Sequence, residues 1–322
     1  MPDAKLGARG TLALIGAPVE VGASCLGAGM GPAALRVAGL PAALSALGYT
    51  VGDRGDVGPR PVDGVPPPVT GLAKYPAEIV AWARAIDAAC SDAMQAGAVP
   101  VVMGGDHSLA MGSVRAAARH AAALGRPFFV LWLDAHPDFN TPATSPSGNM
   151  HGMSVAALSG EFGLETLGEL PPAPRVEPRN LLLFGIRSID ADERKLLRDG
   201  KIGVVDMRLI DEHGVLTLLR PFLARIADAG GMLHVSLDAD FIDPSVAPGV
   251  GTPVAGGATY REAHLITEIL YESGLVTSVD VVELNPFLDL RGQTALLLTD
   301  LLCSLFGRQV YERRPRGAEQ YS

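Results

Sequence analysis

Six short runs of apolar, β-forming residues recur along the chain, and the segments between them have helical spacing. The runs begin at Thr11, Val99, Phe128, Asn180, Met232 and Val276 and read TLALIGAP, VPVVMGG, FFVLWLD, NLLLFGI, MLHVSLD and VTSVDVVEL. Ala- and Leu-rich stretches at 77–96, 109–124 and 260–273 carry helical periodicity. Continuous apolar strands that alternate with helices are typical of a parallel sheet covered on both faces. The pattern therefore predicts an α/β fold.

Length and composition allow a large buried core. The 322 residues are 48% hydrophobic and 19% charged, which suits one or two domains. The sequence has no internal repeat, and the Pro-rich segments 62–69 and 170–178 are predicted to be surface loops rather than linkers. A single domain over residues 1–322 is therefore the economical prediction.

Charge and cysteine content exclude several classes of protein. The net charge of −9 disfavours nucleic acid as a partner, and the short basic run 308–316 is predicted to be a solvated tail or subunit contact. Cys25, Cys90 and Cys303 form neither a disulfide framework nor a zinc pattern. No apolar run reaches the roughly 18 residues that span a membrane, and no signal peptide is expected. These features predict a cytoplasmic protein.

Carboxylates and histidines follow two of the predicted strands. In FFVLWLDAHPDFN, the side chains of Asp134, His136 and Asp138 alternate, so they can point to one side of an extended chain. In MLHVSLDAD, Asp238 and Asp240 alternate in the same way. Both groups are predicted at the carboxyl edge of the sheet, where open parallel sheets bind ligands.

A third strand, VPVVMGG, is followed by Asp106 and His107. We expect Gly104 and Gly105 to let the backbone turn tightly and to bring His107 to the same edge. The candidate ligands are therefore four carboxylates and two imidazoles: Asp134, Asp138, Asp238, Asp240, His107 and His136.

Four carboxylates at close range raise one another's pKa, and two divalent cations would balance their charge. Oxygen and nitrogen ligands without thiolate favour Mn²⁺ over Mg²⁺ or Ca²⁺, while Zn²⁺, Fe²⁺, Co²⁺ and Ni²⁺ remain possible. A single Asp after a strand is usually a turn residue or a helix cap. The coincidence of three such motifs favours a binuclear metal site.

Three blocks of sequence resemble the signature motifs of the ureohydrolases, the family that includes arginases and agmatinases. They are GGDHS at 104–108, DAHPDFN at 134–140 and SLDADFIDPSVAPGVGTP at 236–253. The resemblance extends over nearly the whole chain, from GAPVEVGASCLGAGMGPAALR to VELNP. It implies one three-layer domain, with helices on both faces of an eight-stranded parallel sheet, and two Mn²⁺ ions per subunit. It also implies a homo-oligomer, either a trimer or a hexamer.

The resemblance further divides the ligands between the two ions: His107 and Asp138 for one, His136 and Asp240 for the other, and Asp134 and Asp238 as bridges. It implies a metal-bridging hydroxide that Asp138 also holds by a hydrogen bond and that attacks a guanidinium carbon. His151 resembles the family's proton-shuttle histidine. Glu283 resembles the carboxylate that pairs with the guanidinium, although an ion pair with a structural Arg is the alternative.

The loop NTPATSPSGNMHG at 140–152 resembles the arginase version, in which neutral side chains hold the substrate's carboxylate. Those residues are Asn140, Ser147 and Asn149 here. By the same resemblance, Asp190 meets the α-ammonium group with support from Glu193. Substrate contact is also expected from Thr252, which lies within the third block.

Two residues depart from the arginase pattern. Ser188 replaces a common Asp, and Pro137 replaces a usual Thr or Ala. The first change removes an acidic group near the ammonium site and so bears on affinity rather than on the chemistry.

The resulting prediction is hydrolysis of L-arginine to L-ornithine and urea. A two-metal phosphoesterase would require basic residues for phosphate, and a non-catalytic relative would have a broken ligand set. Outside the site, His120, His213 and His264 are predicted at the surface and His234 in the core. Asp106 and Asp243 are expected to have structural roles.

Overall fold

The computed structural model of the chain describes residues 10–59, 72–162, 172–309 and 311. The predicted loop at 62–69, part of the predicted loop at 170–178 and most of the basic run 308–316 lie outside these ranges. No helix in the described ranges is both long and apolar enough to cross a membrane.

Eight strands form one sheet in which all neighbours pair in parallel, as predicted. The strands are β1 (Thr11–Ala17), β2 (Thr50–Asp56), β3 (Val99–Gly104), β4 (Phe128–Leu133), β5 (Leu181–Ile186), β6 (Gly203–Asp206), β7 (Met232–Asp238) and β8 (Val276–Val282). Their order across the sheet is β2-β1-β3-β8-β7-β4-β5-β6. The strands that precede the three predicted ligand motifs, β3, β4 and β7, therefore lie close together near the centre, with β8 between β3 and β7.

The six apolar runs of the sequence correspond to the six inner strands. The other two strands, β2 and β6, lie at the sheet's edges. Strand β2 reads TVGDRGD and is largely exposed, so it lacks the apolar run that marks a strand buried on both faces. The guanidinium of Arg36 binds Asp53 and Asp56 of this strand and fastens it to the neighbouring helix.

Ten helices lie in the described part of the chain. They are α1 (Gly31–Val37), α2 (Leu40–Ala46), α3 (Pro76–Gln95), α4 (Ala110–Ala123), α5 (Ser154–Ser159), α6 (Ala191–Asp199), α7 (Met207–His213), α8 (Val215–Asp228), α9 (Tyr260–Ser273) and α10 (Gln293–Leu305). The three helical stretches of the sequence agree with α3, α4 and α9 to within a residue at either end.

The helices cover both faces of the sheet because alternate strand residues point in opposite directions. In β1, Leu12 and Leu14 pack in one core with α1, α2 and α7 to α10. Ala13 and Ile15 pack in a second core with α3 and α4. This is the three-layer arrangement that the sequence predicted.

The glycines that end β3 act through close packing rather than through a left-handed turn. Neither Gly104 nor Gly105 has a positive φ. A Cβ atom on Gly105 would lie only 1.7 Å from the carbonyl oxygen of Val19. The glycines are therefore needed for the close approach of the backbone, and His107 does reach the edge of the sheet.

We expect Gly105→Ala to lower the free energy of unfolding by about 1–3 kcal/mol or more, because the added methyl group meets backbone that cannot move aside. Denaturant unfolding of the variant and the parent measures this difference. Gly58→Ala is the control, since a Cβ atom there meets nothing within 4 Å; it should change stability by no more than about 0.5 kcal/mol. Equal stability of the two variants would contradict the close-packing argument.

Candidate active site

The structure brings all six predicted ligand residues to one place at the carboxyl edge of the sheet. Asp238 ends β7, and Asp134 follows β4 directly. His107 and Asp240 lie on short 3-10 helices that follow β3 and β7. Five of the six residues are buried, and the side chain of His136 is 27% exposed.

The Nδ1 atom of His107 faces three carboxylates at once. It lies 3.0 Å from an oxygen of Asp134, 3.1 Å from one of Asp238 and 3.3 Å from one of Asp138. Both His107 Nδ1 and Asp138 Oδ2 are buried without a hydrogen-bond partner among the described residues. Buried polar atoms are rarely left unpaired. Their convergence on a common point suits a cation.

A second group of ligand atoms adjoins the first. His136 Nδ1 lies 3.1 Å from Asp240 and 3.5 Å from Asp134. Two sets of three residues could each hold a metal ion, because the ligand atoms within each set lie within 4.8 Å of one another. The first set is His107, Asp134 and Asp238, and the second set is Asp134, His136 and Asp240. Asp134 belongs to both sets, as a bridging ligand does. Asp238 belongs only to the first set, and Asp138 approaches that set through His107.

Four ionised carboxylates are unfavourable in this cluster without added positive charge. Burial raises the pKa of Asp238 and Asp138 well above the usual range of a carboxyl group, and neighbouring carboxylates raise it further. Burial by itself lowers the pKa of His107, but Asp134, followed by Asp138, outweighs burial and raises that pKa to about 9. Bound cations would let all four carboxylates ionise, which is a physical reason for cations to bind at this edge.

A buried polar network behind His107 was missed in the sequence. The indole of Trp132 stacks on the His107 ring with centroids 3.9 Å apart, and its Nε1 atom donates to Asp134 at 2.9 Å. His107 Nε2 lies 2.7 Å from Ser236 Oγ, which donates to Asp280. Such contacts fix the ring orientation of a metal-binding histidine.

The network continues into the core between β7 and β8. Asp280 also accepts from Ser113 at 2.5 Å and contacts His234 Nε2 at 2.9 Å. His234 contacts Ser278 through Nδ1 at 2.8 Å, so the prediction of a satisfied core histidine is confirmed. The signal that could have revealed this network is the alternation of polar residues inside two otherwise apolar strands.

Two predicted catalytic residues have strained backbones. Asp138 has a φ of 49° and Glu283 a φ of 61°, in the left-handed region that few non-glycine residues adopt. Such conformations cost roughly 1–3 kcal/mol each and occur preferentially at functional sites.

The carboxylate of Glu283 is buried against a histidine rather than an arginine. Its Oε1 atom lies 2.9 Å from His151 Nδ1 and accepts from the backbone N–H of His107 at 2.8 Å. Burial lowers the pKa of His151, but the charge and hydrogen bond of Glu283 outweigh burial and raise it above its ordinary value. The two residues thus form one unit beside the ligand cluster.

A cavity of about 320 Å³ opens onto the cluster. The predicted metal ligand His136 lines it, together with most of the predicted catalytic and substrate-binding residues: Asp138, Asn140, Ser147, Asn149, His151, Asp190, Glu193 and Thr252. Ser188 lines it as well. Glu283 is not part of this lining and lies against His151.

Neighbouring side chains hold the predicted substrate-binding residues in fixed orientations. Asn140 Nδ2 donates to Asp190 at 3.0 Å. This hydrogen bond connects the predicted site for the substrate's carboxylate with the predicted site for its ammonium group. The Oγ atom of Ser147 accepts from the backbone N–H of Asn149 at 3.1 Å. Thr252 Oγ1 donates to Asp240 at 3.1 Å and links the cavity wall to a predicted metal ligand.

The buried carboxylate of Glu193 supports Asp190 through hydrogen bonds from the backbone. Asp190 caps helix α6, and Glu193 closes the capping box by accepting from the N–H of Asp190 at 3.1 Å. The other oxygen of Glu193 accepts from the N–H of Phe139 at 2.8 Å. Burial raises the pKa of Glu193 to about 7.

The remaining polar residues support the surrounding loops. Asp106 accepts from the N–H groups of Gly22 and Ser108, and Asp243 accepts from those of Ser245, Gly256 and Gly257. Both have the structural roles expected. A further support absent from the sequence predictions is Arg187, whose guanidinium donates to the carbonyl groups of Asp240 and Val254.

Two of the histidines predicted at the surface differ in their contacts. His213 is about half exposed. His264 is more enclosed, since its ring lies between Asp300 and Ser304 at 2.8 Å from each.

The chain matches proteins of known family over most of its length. Residues 11–307 match the model of the arginase family. The chain is 49% identical over 303 residues to the arginase of Agrobacterium fabrum, covering 94% of this chain and 93% of that protein. It is 39% identical over 300 residues to the arginase of Bacillus caldovelox, covering 93% and 99%. The crystal structure of arginase from Bacillus subtilis superposes with a TM-score of 0.82 at 37% identity, over 94% of this chain and all of that one.

Both the identity and its coverage exceed what a shared fold alone requires. The chain therefore belongs to the arginase family of the ureohydrolases and is a hydrolase.

Proposed function

We propose that this enzyme hydrolyses L-arginine to L-ornithine and urea. The observation that carries the proposal is a single cavity that joins the ligand cluster to a loop of neutral hydrogen-bonding side chains. The cluster suits attack on a guanidinium group, and the loop suits an amino-acid carboxylate. The arginases among its relatives support the same substrate.

The six ligand residues fit two divalent cations. Their donor set is oxygen and imidazole nitrogen, which favours Mn²⁺ while leaving Fe²⁺, Co²⁺ and Ni²⁺ possible. The unpaired buried atoms of His107 and Asp138 support this fit. When bound, the two cations would supply a water acidic enough to act as a nucleophile near neutral pH.

The guanidinium end of the substrate would then be contacted by three residues, Asp138, His151 and Glu283. Asp138 Oδ2, which lacks a hydrogen-bond partner among the described residues, could accept a hydrogen bond from the attacking water. Glu283 orients His151 through Nδ1, which leaves Nε2 to deliver a proton to the leaving amine. Glu283 Oε1 already accepts two hydrogen bonds, so its Oε2 atom is the one available to the guanidinium.

The end of the cavity away from the ligand cluster would bind the substrate's α-carboxylate and α-ammonium groups. Asn140, Ser147 and Asn149 offer neutral donors to the carboxylate without adding charge to a cluster rich in Asp. Asp190, braced by Glu193, is an acceptor for the α-ammonium group. Thr252 and Ser188 complete the wall between the two ends.

Three properties of the proposed enzyme stay predictions: one domain over residues 1–322, assembly into trimers or hexamers, and a cytoplasmic location.

The substrate can be tested with a panel of guanidino compounds. L-Arginine and agmatine differ by one carboxylate, so the groups at the reacting end cannot distinguish them. A site built to bind a polar group can reject an analogue that lacks it by up to roughly 10⁴-fold. We expect kcat/KM for L-arginine, from urea release, to exceed that for agmatine by at least about 100-fold. Asn149→Ala should reduce this difference, mainly by lowering kcat/KM for L-arginine. A parent enzyme that prefers agmatine or guanidinobutyrate would overturn the assignment.

Metal content tests the ligand cluster. The protein reconstituted with Mn²⁺ should hold two ions per chain by elemental analysis. Asp134→Ala should lose most of both, since this carboxylate belongs to both sets of ligand atoms. The exposed Asp192 provides the control variant, Asp192→Ala, which should retain both ions. One tightly held ion in the parent protein would rule out the binuclear site.

Proton transfer by His151 can be separated from metal binding. His151→Asn should lower kcat by about 10-fold or more, which is within the contribution of general acid–base groups, while both ions remain bound. His213→Asn alters an exposed histidine and should leave kcat unchanged. If His151→Asn turned over at the parent rate, His151 would have only a structural role.

A further inference from the structure

Asn149 receives two hydrogen bonds on the same side-chain oxygen. Lys74 Nζ lies 3.1 Å from Asn149 Oδ1, and Ser24 Oγ donates to that oxygen at 2.9 Å. An ammonium group has only donors, so it can bind the oxygen of an amide but not its NH₂ group. Lys74 therefore determines which end of the Asn149 amide faces it.

The orientation decides what Asn149 offers to the cavity. With Oδ1 turned to Lys74, the NH₂ group on Nδ2 points elsewhere, and it has no hydrogen-bond partner in the part of the chain that the structure describes. Asn149 lines the cavity, whereas Lys74 does not. A carboxylate accepts hydrogen bonds only, so Asn149 can bind one through Nδ2 but would repel it through Oδ1.

Lys74 is held in place by its own backbone. Its N–H donates to the carbonyl of Gly148 at 2.9 Å, and the N–H of Leu72 donates to Pro142 at 2.7 Å. These bonds pair residues 72–74 with the loop that carries the neutral side chains. Gly148 has a φ of 72°, and a Cβ atom there would lie 2.0 Å from the carbonyl oxygen of Leu72. The close approach places the Lys74 side chain beside Asn149.

We propose that Lys74 is a specificity-determining residue that orients the Asn149 amide so that Nδ2 binds the substrate's α-carboxylate. The proposal rests on the proposed function and deepens it. Lys74 is exposed, so its charge is screened by solvent and its main contribution is orientation. Without Lys74 the amide can rotate, because the hydroxyl group of Ser24 can either donate to Oδ1 or accept from Nδ2.

The test is Lys74→Met, which keeps the aliphatic length and removes the donor. The ratio of kcat/KM for L-arginine to that for agmatine should fall about 10-fold, mainly through a higher KM for arginine. Calorimetry should show a similar loss of affinity for L-ornithine and none for putrescine, which lacks the carboxylate. Lys74→Arg retains a donor and should restore much of the ratio. Lys195→Met removes an exposed lysine that pairs with Asp192, and should match the parent.

A double-mutant cycle shows whether Lys74 acts through Asn149. In an Asn149→Ala background, Lys74→Met should change the ratio by less than about 2-fold, because its partner is gone. An unchanged ratio in the single variant, an equal loss for both substrates, or an effect of full size in the Asn149→Ala background would each overturn the proposal. A parent enzyme inactive on L-arginine would overturn the proposed function instead, and this proposal with it.

Discussion

Four buried carboxylates at the carboxyl edge of a parallel sheet are the constraint on which the rest of this structure depends. Burial and mutual repulsion raise the pKa of Asp138 and Asp238, so the cluster can stay ionised only next to positive charge. Histidines supply part of that positive charge, and the geometry of the two ligand sets favours bound cations as the source of the remainder. Bringing these groups together requires neighbouring strands, which explains why the motifs follow strands at the centre of the sheet.

The cluster depends in turn on residues that never reach the cavity. Trp132 and Ser236 fix the His107 ring from two directions, and Asp280 anchors Ser236 within the core. Two residues of the site, Asp138 and Glu283, hold unfavourable backbone conformations. Such strain persists only where surrounding contacts over-determine the backbone, and the hydrogen bond from Glu283 N–H to the carbonyl of Gly105 is one of them. The close-packed segment directly after β3 thus supports both His107 and the strained Glu283.

The end of the cavity away from the ligand cluster is constructed differently from the cluster. It is built on loops, and its polar side chains are oriented by partners distant in sequence, such as Lys74, which lies 75 residues from Asn149. Neutral amides offer either a donor or an acceptor, so their neighbours decide what they recognise. We infer that reaction chemistry is set by the rigid sheet edge, and that substrate choice is set by the orientation of the loop's side chains.

The sequence by itself determined the fold class, the six inner strands and the identity of the six ligand candidates, because burial periodicity and the alternation of Asp and His are local signals. It did not mark β2 and β6 as strands, since edge strands need no continuous apolar run. Only the tertiary structure decided that Glu283 pairs with His151 and that Asp280 supports His107. These contacts join residues far apart in the chain, and their distances follow from sheet order and packing, which local pattern does not encode.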